Sequence, residues 1–135
     1  MAKEKQYWLL KTEAEAFSID DLKRVGREPW SGVRNYQARN WIRSMQVGDL
    51  CLFYHTGDEK SVVGVCKVAS KPYPDKEEPW TLVDVNFVKK FKNAIPLPQI
   101  KNDPSLRGMV LLKAPRLSVQ PVSEKQFTHI TMLAK

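Results

Sequence analysis

Hydrophobic positions along this chain fall into short runs and a few helical periods, separated by residues that favour turns. Tyr7-Trp8-Leu9-Leu10 is an apolar, aromatic-rich run that predicts a buried strand. The helix predicted next is clearly punctuated. Ser18 is a good N-cap, Asp21 completes a variant of the capping box, and Phe17 and Leu22 are placed as a hydrophobic staple. Lys23 and Arg24 suit the last turn, and Gly26 can end the helix in a left-handed conformation. Residues 27–32 read as irregular. A second helix is predicted over residues 36–45, capped by Asn35, with Ala38, Trp41, Ile42 and Met45 facing the core. Arg39 and Arg43, four apart, lie together on another of its faces.

Gly48-Asp49 makes a turn into a strand over 50–55, and a hairpin loop at 56–60 returns through 61–69. Three prolines and four charges make residues 72–79 a surface loop. Residues 80–91 alternate, with Val83, Val85, Phe87 and Phe91 on one side and Asp84 and Asn86 on the other. The 96–107 region reads as a mixed loop with one short helical turn, followed by strands over 109–112 and 116–119. Ser123 with Gln126 forms a second capping box, stapled by Val122 and Phe127, and opens a final helix packed down by Phe127, Ile130 and Leu133. Five to six strands without a βαβ rhythm predict an α+β fold: a mixed or antiparallel small barrel with about three flanking helices.

The chain has 135 residues, enough for one domain spanning 1–135 that folds without disulfide or metal support. Cys51 and Cys66 each lie in an apolar run and read as buried thiols on neighbouring strands; their spacing fits no zinc site. No segment approaches a membrane span, and the charged opening argues against a secretory signal. A monomer in the cytoplasm, or in the nucleus of a eukaryote, is the expectation. Lys and Arg outnumber Asp and Glu by 22 to 15, a net +7, and such a surface attracts polyanions, nucleic acid first.

Catalytic signatures are missing from the sequence. There is no Gly-rich phosphate loop, no serine elbow and no HExxH, and no cofactor is implied. His55 closes a strand, as a base, a binding group or a polar strand end; His129 reads as a surface residue. What remains is a set of aromatic residues at element ends, Trp30, Tyr36, Tyr54 and Trp80, with Lys11, Arg34, Arg39 and Arg116 at similar junctions. Aromatic faces stack on bases and basic groups hold phosphates. The plain alternative makes the tryptophans core anchors, and it is preferred for Trp8 and Trp41.

Several segments resemble EVE-domain proteins: Tyr7 through Glu13, Phe17 through Leu22, Trp30 through Asn40, Val47 through His55, Tyr73-Pro74-Asp75, Val83-Asp84-Val85 and Arg116 through Val122. The resemblance covers essentially the whole chain and implies a PUA-like pseudobarrel related to YTH and ASCH domains. It also implies recognition of a modified base in DNA or RNA. The implied pocket is lined by Thr12, Trp30, Asn35, Tyr54 and Trp80, with Lys11, Arg34, Arg39, His55 and Arg116 at its rim or in its support. Ala14 stands where many members have proline, Thr12 where serine is usual, and the stretch from Pro74 to Trp80 is shorter than in many. One rival is an enzyme, because some ASCH relatives hydrolyse modified nucleosides with lysine, threonine and glutamate, the types in Lys11-Thr12-Glu13. Consecutive residues of an extended segment alternate in direction, which speaks against it. A small-ligand or protein-interaction module is the second rival.

Overall fold

The computed structural model describes residues 6–135; residues 1–5, most of the charged opening, lie outside the described residues. In chain order the elements are β1 (Tyr7–Glu13), α1 (Ile19–Val25), β2 (Arg27–Pro29), α2 (Tyr36–Arg43), β3 (Leu50–Thr56), β4 (Ser61–Val68), β5 (Tyr73–Pro74), β6 (Thr81–Leu82) and β7 (Asp84–Pro96). After these come α3 (Leu97–Lys101), a 3-10 turn at Pro104–Leu106, α4 (Val110–Lys113), β8 (Val119–Val122) and α5 (Glu124–Leu133). Six strands form one sheet in the order β2-β7-β4-β3-β1-β8, and β5 and β6 form a separate small hairpin. The pair β1–β3 is parallel and the other pairings are antiparallel, so the sheet is mixed. The large sheet curls into a half-barrel, the PUA-like α+β architecture expected. No helix among the described residues is long and apolar enough to cross a membrane.

Strand alternation feeds two cores, one on each face of the curled sheet. Trp8, Leu10 and Phe53 pack into one with Trp30, Ile42 and Val85, whereas Leu9, Leu52 and Tyr54 pack into the other with Phe91 and Ile130. Helix caps follow the sequence closely. The Ser18 hydroxyl accepts the Asp21 N–H at 3.0 Å while the Asp21 carboxylate accepts the Ser18 N–H at 2.9 Å, which lowers the Asp21 pKa. Ser123 and Gln126 repeat this reciprocal arrangement on α5. Asn35 caps α2, its Oδ1 accepting the Ala38 N–H at 2.9 Å. Cys51 and Cys66 are buried free thiols directly opposite one another on β3 and β4.

Four expectations are corrected. Residues 27–29 are not irregular but form β2, an edge strand paired with β7. The run from Met109 to Leu112 turns as α4, since four consecutive apolar residues carry no period that separates a buried strand from a buried helical turn. The final strand is β8, three residues later than expected; Pro121 fits because β8 lies at the sheet edge, pairing with β1 alone. Most consequential is a bulge in β7. Cys66 pairs with Phe87 but Val65 with Lys89, so Val88 is an extra residue and the parity flips. Val83, Val85 and Phe87 therefore serve one core and Phe91 the other; Ile95 joins Phe91 beyond a second register shift between Val62 and Gly64.

Candidate nucleic-acid interface

The ends of β1 and β2 meet beside the turn that precedes β8. The Lys11 N–H donates to the Ser118 carbonyl at 2.9 Å, which holds Ser118 alongside β1. The Trp30 N–H donates to the Val83 carbonyl at 2.7 Å and extends the pairing of β2 with β7 by one bond. Gly32, with φ +82°, then turns the chain through a conformation that L side chains rarely adopt. Between these segments lies a cleft of about 180 Å³ lined by Lys11, Thr12, Glu28, Trp30, Ser31 and Ser118, with Phe17 and Val33 completing its apolar surface.

Trp30 is both wall and core. Its residue is 6% exposed, and its ring meets Phe53 edge-on at 5.5 Å between centroids and Phe17 at 6.4 Å. The indole nitrogens differ in their engagement. Trp8 donates to the buried Asp49 carboxylate at 3.0 Å, whereas the Trp30 N–H has no acceptor among the described residues. The residues lining the cleft bring the Thr12, Ser31 and Ser118 hydroxyls and the Glu28 carboxylate. Lys11 Nζ donates to the Pro115 carbonyl and lies 5.6 Å from the centre of the Tyr54 ring; partial burial lowers its pKa.

Of the residues singled out from sequence, this cleft gathers Lys11, Thr12 and Trp30. The others are placed elsewhere. Tyr54 is buried in the second core and borders a different cavity on the far side of Lys11, because its neighbour Phe53 takes the Trp30 side of β3. His55 is internal: its Nε2 accepts the Ile19 N–H at the start of α1 at 3.1 Å, and its Nδ1 faces Glu59 Oε2 at 2.7 Å. Asn35 is occupied as a cap and, with Arg116, borders a shallow depression next to Pro115. Arg34, Arg39 and Trp80 gather around Tyr36: the Trp80 and Tyr36 rings lie 5.0 Å apart, with Arg34 over Trp80 and Arg39 over Tyr36. Glu13 faces a separate acidic cleft with Glu15, Asp58 and Glu59, away from Lys11 and Thr12.

Sequence reasoning missed Glu28, Ser31 and Ser118. Ser31 adjoins Trp30 and could have been found from that adjacency. Glu28 lay in a stretch read as irregular, and Ser118 reaches the cleft only through its long-range backbone bond to Lys11.

A family model, EVE domain, matches residues 6–133. Thymocyte nuclear protein 1 of Gallus gallus is 37% identical over 164 aligned residues, covering 94% of this chain and 68% of that protein. A hypothetical protein from Leishmania major superposes with a TM-score of 0.94 at 39% identity, covering 99% of this chain and 97% of that one. Human THYN1 protein, solved in complex with 5-methylcytosine containing DNA, superposes with a TM-score of 0.89 at 33% identity, covering 97% and 98%.

Proposed function

This chain belongs to the EVE domain family, and from that premise we propose that it binds nucleic acid and holds one modified base in the cleft beside Trp30. The observation that carries the proposal is the combination, in one open concavity, of an indole wall and the polar side chains of Thr12, Glu28, Ser31 and Ser118. The solved complex of human THYN1 protein with 5-methylcytosine containing DNA supports the choice of ligand class.

The net charge of +7 draws in the phosphate backbone, and Arg116, two residues from Ser118 at the cleft edge, is the cation of the neighbouring depression. The target nucleotide leaves its stack, at a cost of a few kcal/mol that is smaller for a single strand. Its base then lies against Trp30. The Thr12, Ser31 and Ser118 hydroxyls and the Trp30 N–H bond its polar edge. Glu28 is an acceptor for an exocyclic amine, which favours a cytosine or adenine derivative over uracil or thymine. A buried methyl adds only ~0.8 kcal/mol, less than tenfold. Sharper discrimination comes from a polar group, such as Glu28, left without its partner by the wrong base, at ~1–3 kcal/mol. The scheme is one of binding without catalysis. It requires no cofactor and is complete in a monomer, in the cytoplasm or a nucleus.

Titration of labelled oligonucleotides, identical but for one modified base, at two salt concentrations tests this reading. Glu28→Gln and Thr12→Val are expected to erase the preference for the modified strand while the salt dependence of binding stays as in the parent. Preference unchanged in both variants, or no preference in the parent for any modified base, overturns the proposal.

A further inference from the structure

A second groove, of about 680 Å³, opens beside Trp80 and is bordered by Arg43, Lys71, Tyr73, Glu78 and the prolines around them. Its aromatic wall continues out of the groove. Trp80 is packed against Tyr36 at 5.0 Å with an interplanar angle of 34°, and Tyr36 is 59% exposed. Tyr36 is left in water and Trp80 is half-buried beside it, and neither is needed for the core; both core clusters are complete without them. The guanidinium of Arg34 lies 5.6 Å from the Trp80 ring centre and that of Arg39 lies 4.9 Å from the Tyr36 ring centre.

The surroundings are held rigid. Arg34 is anchored by Asp75 and Glu77, each at 3.3 Å, and by the Val33 carbonyl. Arg43 donates to Thr81 Oγ1 and to the Pro79 carbonyl, and Tyr73 donates to Asp84, which also accepts from Arg27. Arg34 is thus partly neutralised, but Arg39, Arg43 and Lys71 have no carboxylate partner among the described residues. Aromatic faces flanked by uncompensated cations fit a nucleotide, the bases stacking and the phosphates meeting the cations. Position argues for the same strand. Val33 borders the Trp30 cleft, and the next residue, Arg34, covers the Trp80 ring.

We propose that the Tyr36–Trp80 platform and its groove receive an unpaired nucleotide flanking the recognised base, so that the protein engages two nucleotides of one strand at two separate stations. This inference rests on the proposed function but concerns a different set of side chains. It implies that affinity grows from a modified mononucleotide to a short single strand by more than charge alone supplies.

The test compares a modified mononucleotide with a modified single-stranded oligonucleotide on the parent protein, Tyr36→Ala and Lys71→Gln, with 2-aminopurine placed next to the modified base. Tyr36→Ala is expected to weaken the oligonucleotide about tenfold and to remove the fluorescence change of the flanking probe. Mononucleotide affinity stays at the parent value. Lys71→Gln is expected to lower the salt slope of oligonucleotide binding. If Tyr36→Ala weakens both ligands equally, or neither, while preference for the modified base persists, the platform is overturned and the Trp30 cleft stands. If the parent binds no oligonucleotide, both fall.

Discussion

Replacing Trp30 with alanine should damage the fold before it informs on binding. The side chain is 6% exposed and lies in the core cluster that also holds Trp8, Phe53 and Val85, so truncation leaves a cavity the neighbours fill only in part. Tryptophan-to-alanine changes in such settings cost about 3–5 kcal/mol. The two edge-on contacts, to Phe53 and Phe17, contribute roughly 0.5–1.5 kcal/mol each beyond area and push the value toward the upper end. A domain of this size is stable by about 5–15 kcal/mol, so the loss is a large share of the total. In urea, with a slope of about 2 kcal/mol/M, the unfolding midpoint should fall by roughly 2 M with the slope unchanged. Trp30→Phe keeps a ring in the core and should lose much less, while removing the indole N–H and shortening the aromatic wall of the cleft. A midpoint shift under about 0.5 M for Trp30→Ala would refute the placement of this ring in the core.

Two further outcomes follow from groups around the sites. His55→Leu removes the acceptor for the Ile19 N–H where α1 begins, and the orphaned donor should cost about 1–3 kcal/mol, read from the same urea titration. The Tyr73 phenol is pushed up to about 12, first by its hydrogen bond to the Asp84 carboxylate and then by burial. Its folded pKa is raised, so the contribution to stability is complete below the ordinary tyrosine value of about 10 and is lost as pH climbs toward 12. Tyr73→Phe should therefore flatten the fall of the thermal midpoint between about pH 10 and 12 relative to the parent; a parallel fall in both proteins would show that this phenol does not carry the dependence.

Local signals written in one stretch of chain were legible. The capping boxes at Ser18 and Ser123 and the Asn35 cap depend on residues three apart, and each forms as read. What depends on a partner strand was not. The bulge at Val88 reassigns Phe91 to the other core through a pairing with β4 that no local pattern announces. The site divides in the same way. Trp30 and Thr12 come from motifs at the ends of two strands and do converge; Lys11 borders the same cleft, but its ammonium is held on the Tyr54 side by the Pro115 carbonyl. Tyr54 and His55 belong to a strand whose alternation sends Phe53 toward Trp30, turning Tyr54 to the opposite core, while the His55 ring is taken up by the start of α1. Asn35 shows one residue type suited to two tasks, and the helix end claims it.

The central claim is that the modified base itself lies against Trp30. Photocrosslinking with a zero-length photoreactive analogue placed at the modified position, followed by peptide mapping, tests it most directly. Crosslinks to Glu28 through Val33, or to Lys11 and Thr12, are the predicted result. Crosslinks confined to the β5–β6 hairpin, or spread over exposed lysines, would contradict it.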